Sequence, residues 1–323
     1  MSFLKSWVGK AILSRRAKKF FPESPPPERE AARARFGDAL HTARAAYERM
    51  RDDATHADFV HPDWARNIRE VETYFLEDFD LSFLDNPVIN GTMVFTNRQA
   101  HAAQWARLER WRNAEAIRKY IGGGASAHLS GTRRKLSTAI NSVHHLYHLS
   151  RYEQTTGRAI EMARRVVEFG GGYGNLARIF LNFGHIARYA ILDLPLFSCI
   201  QYVYLCTAFG PNRVRLENGT REGAGEETVS LVPLPFLDRS VVEGDLFVST
   251  WALSESTRQA YSYVKSRRWF GAESMLLAYN EKWKPWDDAE LREELEGLGH
   301  ELVVEPVSFL PGNHYVFSLK RIS

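Results

Sequence analysis

The sequence predicts an α/β fold, a doubly wound, Rossmann-like sheet of seven strands that ends in an antiparallel hairpin and follows a mainly helical N-terminal region. From Arg165 onward, short apolar runs alternate with helical patterns, the signature of a parallel sheet wrapped by helices. The last section, ELVVEPVSFLPGNHYVFSLKR, instead holds two extended runs joined by a turn at Pro311-Gly312-Asn313. Before residue 151 the periodicity is helical.

In chain order, residues 1–21 carry Lys5, Lys10, Arg15, Arg16, Lys18 and Lys19 and no acid. Phe3, Leu4, Trp7, Val8, Ala11 and Ile12 fall on one stripe of a basic amphipathic helix. Such a helix lies in a lipid interface, or docks on its own domain or a partner subunit. PESPPPERE, residues 22–30, reads as a short stiff linker. Residues 31–150 form a helical substrate or lid region, with segments near 28–52, 62–77, 97–120 and 133–152. Two stretches interrupt it, LDNPVINGTMVF at 84–95 and IGGGASAHLSGT at 121–132. The second is a loop able to close over a ligand, or a plain connector.

Residues 151–323 form the sheet domain. Its pattern is VVEFG with a helix from Asn175, YAILD with a helix from Leu196, VSLVPL, DLFVST with a helix from Ser254, and SMLLAYN with a helix from Asp287. At 323 residues the chain buries a full core. The net charge of +3 is nearly balanced. Cys199 and Cys206 stand about two turns apart on one predicted helix, too far to bond, and read as reduced thiols. No apolar run reaches the length of a membrane span, and the start lacks the core of a signal peptide. The expected location is cytoplasmic, or peripheral at the inner membrane face through residues 1–21. The sequence carries no signal for an oligomeric state.

The chemistry centres on VVEFGGGYGN. Glycines after a strand let a ligand approach the backbone, and the following helix presents free N–H groups to it. The glycines at 170, 172 and 174 give G-x-G-x-G, one residue shorter than the nicotinamide fingerprint, with an acid, Glu168, two residues before the first. The pattern E-x-G-x-G-x-G after an apolar strand resembles the first motif of class I S-adenosylmethionine-dependent methyltransferases. That resemblance implies a loop packed on the methionine part of the cofactor and an acid positioning its amino group. Asp193 ends the second apolar run, where a carboxylate takes both ribose hydroxyls in bidentate fashion. It suits a nicotinamide enzyme equally well. The loop and the terminal hairpin favour methyl transfer. The expected cofactor-binding set is Glu168, Gly170, Gly172, Tyr173, Gly174, Asp193, Leu194 and Trp251, with Trp251 alternatively a core residue.

Read together, VVEFGGGYGNLARI, ILDLPLFSCIQYVYL, DLFVSTWALSES and PGNHYVFS resemble the sugar O-methyltransferase family of bacterial surface-polysaccharide gene sets, over about residues 135–320. The resemblance implies a sugar hydroxyl, on a nucleotide sugar or a lipid-linked glycan, as acceptor. In one departure, VSLVPLPFLD offers Pro233 and Pro235 first and Asp238 late where many methyltransferases place an adenine-contacting acid.

Methyl transfer to a hydroxyl needs alignment and a general base, or a divalent cation in its place. Candidate bases are Glu255 after the fourth strand, His314 in the hairpin, and the helix bearing His144, His145 and His148. His144 and His148 share a face at metal-compatible spacing, but no Glu pattern or cysteines accompany them, so a metal is not favoured. Tyr279, Asn280, Glu281 and Tyr147 are expected to hold the acceptor, with Tyr173, Trp251, Tyr279 and Trp283 suited to stacking on a sugar or to a core. A nucleic-acid partner is not expected, because the catalytic half has no basic stripe and no Asn/Asp-Pro-Pro-aromatic sequence. The alternatives are a methyltransferase of small secondary metabolites and a non-catalytic partner subunit of the same fold.

Overall fold

The computed structural model describes residues 26–95, 98–122, 135–217 and 228–321. The expected helix at 1–21, with its membrane contact, and most of the glycine-rich stretch at 121–132 lie outside the described residues.

The helical region comprises α1 (Pro26–Met50), α2 (Ala65–Glu77), α3 (Pro87–Met93), α4 (Arg98–Trp111), α5 (Ala114–Gly122) and α6 (Lys135–Thr156). Pro26 starts α1, so the proline-rich linker gives way to helix from that residue. Proline suits a first helical turn, where its missing N–H would have no partner. Asn86 caps α3 by accepting from the Val88 N–H, and Pro87 follows, which turns the expected interruption at 84–95 partly into helix. The single segment expected at 97–120 is two helices, α4 and α5.

The sheet domain follows as β1 (Arg165–Phe169), α7 (Asn175–Phe183), β2 (Arg188–Asp193), α8 (Pro195–Phe209), β3 (Val214–Leu216), β4 (Val229–Pro233), β5 (Leu246–Thr250), α9 (Arg258–Ser266), β6 (Ser274–Asn280), α10 (Asp288–Gly297), β7 (His300–Pro306) and β8 (Asn313–Lys320). The eight strands lie in the order β3-β4-β2-β1-β5-β6-β8-β7. Strands β1 to β6 pair in parallel, and β8 runs antiparallel to its neighbours β6 and β7. The expected seven strands are present, and the short β3 adds an eighth at one edge. The helix expected from Ser254 begins at Arg258, with the Thr257 side chain as its cap.

Both faces of the sheet are covered. One buried cluster joins Val166, Ile191, Leu231 and Val248 to α1, α2, α6, α7 and α8. The other joins Val167, Leu192, Phe247 and Met275 to α9 and α10. Alternate residues of β1 thus enter opposite cores, as strand geometry requires. On the first face α1 packs along α8, and α6 packs against α4, α7 and β8. The buried Arg178 ties this side together, donating to the Tyr120 and Ile121 carbonyls, Ser142 Oγ and Asn175 Oδ1. From β1 the chain winds outward through β2 to one edge and returns through β5 to the other side. The crevice at the carboxyl ends of β1 and β5 is therefore the switch point where ligands of such sheets bind.

Candidate functional site

A cavity of about 540 Å³ opens at that crevice. Its floor is the turn after β1, in which the glycines have different tasks. Gly170 has φ +78°, and a Cβ there would lie 2.0 Å from the Ala252 Cβ, so the loop after β5 packs directly on its backbone. A Cβ on Gly171 would lie 2.6 Å from Ile191 Cγ2. Gly172, with φ +55°, lines the cavity, where the nearest atoms to an added Cβ belong to Met93 at 3.9 Å. Gly174, at φ +92°, lies outside the lining; its missing side chain lets the start of α7 sit against Leu205. Gly174 thus serves helix packing.

Two buried carboxylates flank the loop. Asp193 Oδ2 accepts from the Gly171 N–H at 2.9 Å and from Gln201 Nε2 at 2.7 Å, and Oδ1 accepts from the Leu194 N–H at 2.8 Å. Burial raises its pKa to about 6, against the pull of those three donors. The carboxylate is held by the chain before any ligand arrives, so of about four lone-pair sites one is left for a ribose. That corrects the simple bidentate picture. Glu168 Oε2 accepts from the Tyr189 hydroxyl at 2.8 Å, and burial raises the Glu168 pKa to about 8. With no cation beside it among the described residues, this group is largely protonated at neutral pH.

The opposite wall is aromatic. Trp251 holds a left-handed backbone, φ 67°, just past β5, an uncommon and strained conformation for a bulky residue. It is fixed by its N–H to the Ala278 carbonyl at 2.7 Å and by indole Nε1 to Asn313 Oδ1 at 2.7 Å. The His144 ring lies nearly parallel to the rings of Trp251 and Phe95, with centroids 5.6 and 3.9 Å away. Gln104 Nε2 meets His144 Nδ1 at 2.9 Å, and Asn175 Nδ2 meets His145 Nδ1 at 3.0 Å. Burial lowers the pKa of both histidines, that of His145 to about 3, so both are neutral. His144 and His145 line the cavity. His148 does not; it is buried behind them, with Nδ1 2.6 Å from the Tyr315 hydroxyl.

Glu255 lines the cavity in the turn after Trp251, and burial raises its pKa. Beside it the helical region completes the mouth. Val60 forms an antiparallel bridge with Ser256, and the Phe59 carbonyl accepts from the Thr257 N–H at 3.2 Å. These contacts bring Phe59, His61 and Trp64 to the rim near Trp283, whose ring centroid is 6.5 Å from that of His61.

Of the expected residues, the cavity gathers Glu168, Gly170, Gly172, Tyr173, Asp193, Leu194, Trp251, Glu255, His145 and Asn280. It leaves out four others besides Gly174 and His148. His314 pairs with Tyr279 in the β6–β8 register, and their rings pack together on the far side of the sheet from Asn313 and Tyr315. Tyr279 is buried against Trp286 there. Glu281 is exposed, 3.7 Å from His314 Nδ1. Tyr147 lines a separate recess. Asp238, exposed, pairs with Arg267 and with His56 at 3.1 Å, away from the cavity. Residues the sequence did not assign to the site complete the lining, notably Phe59, His61, Trp64, Phe95, Asn141 and the turn residue Asn313. No cluster of three or more metal-ligating side chains occurs among the described residues.

No protein-family model and no curated protein matches this chain. Among solved structures it is similar to the methyltransferase domain of bacterial CtHen1 (10% identity, 55% of this chain and 100% of that one, TM-score 0.39). It is also similar to an O-methyltransferase family protein from Burkholderia thailandensis (12%, 69% and 70%, TM-score 0.37). Human N-acetylserotonin methyltransferase in complex with SAM is a third (11%, 68% and 67%, TM-score 0.34). Similarity at this level carries no weight for activity or substrate, which rest on the site.

Proposed function

We propose that the protein is an S-adenosylmethionine-dependent O-methyltransferase acting on a saccharide hydroxyl. The observation that carries the proposal is one cavity, at the sheet's switch point, that unites a bare glycine backbone, two buried carboxylates and a third carboxylate beside an aromatic mouth. The residues fit the cofactor. The cavity's volume suits a ligand of that size; Gly172, at φ +55°, presents bare backbone to the cavity; Glu168 is a buried acid that gains from a cationic amino group; and Asp193 retains acceptor capacity for a ribose hydroxyl. Adenine recognition falls to Leu194, Leu234 and Phe197, since no acid follows β4 in the cavity.

When bound, S-adenosylmethionine would be held by the Gly172 backbone, Glu168 and Asp193 and would supply an electrophilic sulfonium methyl group whose sulfur can accept the electron pair of its C–S bond. The chain's task is to align the hydroxyl and take its proton. Glu255 is the proposed base, because burial raises its pKa and so strengthens it as a proton acceptor. His144 and His145, neutral, offer hydrogen bonds to the acceptor. Phe59, Trp64 and Trp283 present apolar faces at the mouth that suit a pyranose ring.

No helix among the described residues is long and apolar enough to cross a membrane. The basic residues of 1–21 support peripheral contact with an anionic membrane face, where a lipid-linked glycan would be met. Incubation with methyl-tritiated S-adenosylmethionine and panels of saccharides and phenolic metabolites tests the assignment. Label in a saccharide is expected. Label confined to the phenolic compounds would overturn the acceptor class, and none at all the activity.

A further inference from the structure

We propose that a second, arginine-lined recess, bounded by α4, α6 and the turn between β7 and β8, binds a phosphate or diphosphate group. The recess measures about 470 Å³ and is distinct from the cavity above. Arg107 and Arg110, one turn apart on α4, line it together with Tyr147, Ser308 and Phe309. The Arg107 guanidinium stands 5.9 Å from the centroid of the Tyr147 ring, and its Nε is buried with no hydrogen-bond partner among the described residues. A buried donor on a permanent cation is costly unless an acceptor reaches it.

The surrounding charges do not supply that acceptor. The nearby carboxylate, Glu305, is taken in two-pronged fashion by Arg151, through Nε at 3.0 Å and through NH2. Arg151 itself repels Arg107, adding to the burial that already lowers the Arg107 pKa. The recess is thus a positive concavity with a planar donor fork facing an unmet need. Phosphoryl oxygens match arginine forks in geometry and charge. Tyr147 and Ser308 add hydroxyl donors, and the Phe309 ring closes one side.

The recess and the cavity share a wall. Phe309 packs on His144 and Phe95, with ring centroids 5.6 and 6.2 Å away, and the neighbouring Leu310 lines the cavity. Gln104 lines the recess while bonding to His144. An anion seated on Arg107 therefore adjoins the acceptor wall, as the phosphoryl end of a sugar phosphate would, although anion binding does not depend on the methyl-transfer reading.

The test is calorimetric titration of the full chain with inorganic pyrophosphate and, separately, glucose 1-phosphate at fixed ionic strength, with glucose as control. Saturable binding is expected, weakened at least about tenfold by Arg107→Gln and by Arg110→Gln, and less by Arg107→Lys. Tighter binding of pyrophosphate would assign the site to a free anion, and tighter binding of glucose 1-phosphate to a phosphorylated sugar. Unchanged thermal unfolding and S-adenosylhomocysteine affinity in the exposed Arg110→Gln variant would separate loss of the site from loss of fold. Absence of saturable binding, or equal affinity in wild type and both glutamine variants, would overturn the proposal.

Discussion

Replacing Glu168 with glutamine removes a titration that the site couples to its ligand. Burial lifts this carboxyl from 4.5 to about 8, and the Tyr189 hydroxyl only partly opposes that. At pH 7 the unliganded protein therefore holds a proton on Glu168, and a ligand ammonium placed beside it expels that proton. Linkage then makes S-adenosylhomocysteine affinity rise by about tenfold per pH unit on the acid side of about pH 8, with release of about one proton. Above that value Glu168 is already ionised in the unliganded protein, and the gain stops. Asp193 titrates lower, at about 6, so the window from about pH 6.5 to about 7.5 isolates Glu168.

The same shift acts on stability. The folded pKa lies above the unfolded one, so the contribution is fully present below about pH 4.5 and is lost as pH rises to about 8. A displacement of this size corresponds to several kcal/mol, on the order of 1.4 for each pH unit. Calorimetry in two buffers of different ionisation enthalpy counts the protons. Glu168→Gln is expected to bind with a flat pH dependence across the window, to release no proton, and to unfold at a higher temperature than wild type at pH 8. Equal proton release from the variant and the wild type would refute the reasoning.

Further changes probe the rest of the site. Asp193→Ala should weaken S-adenosylhomocysteine at least about tenfold, since a charged acceptor and the anchor of the Gly171 and Leu194 N–H groups both go; unchanged affinity in a folded variant would remove Asp193 from the site. Gly170→Ala places a Cβ 2.0 Å from Ala252 at φ +78° and should cost more than about 3 kcal/mol in chemical denaturation, whereas Gly184→Ala, at φ +81° in open space, should cost about 1 kcal/mol. Similar losses at both positions would show that the loop after β5 does not press on Gly170. With an acceptor in hand, Glu255→Gln should lower kcat by about 100-fold while S-adenosylhomocysteine affinity stays within about twofold; a retained kcat would exclude Glu255 as the base.

What the sequence revealed about the site depended on how local each signal was. The glycine turn, Glu168, Asp193 and Glu255 sit at or just past strand ends, and a strand followed by a helix places such residues at one edge of a sheet whatever the rest of the chain does. His314 and Tyr279 failed for a reason of parity. Both adjoin the correct edge, but the β6–β8 register pairs them with each other on the far face and gives the near face to Asn313 and Tyr315. On α6 the helical spacing correctly grouped the histidines, yet depth within the packed face separates His144 and His145 from His148. Phe59, His61 and Trp64 had no local signal, because the bridge of Val60 to Ser256 joins segments far apart in the chain. The three residues of β3 are too short a run to register as a strand, and the left-handed turn at Trp251 is held by hydrogen bonds to Ala278 and Asn313, distant in the chain, rather than by tryptophan's own preference.

Calorimetric titration of the purified protein with S-adenosylhomocysteine, with NADH titrated in parallel, tests the central claim most directly. The site predicts micromolar binding of S-adenosylhomocysteine and none of NADH. Binding of NADH alone, or of neither ligand by a folded protein, would contradict it.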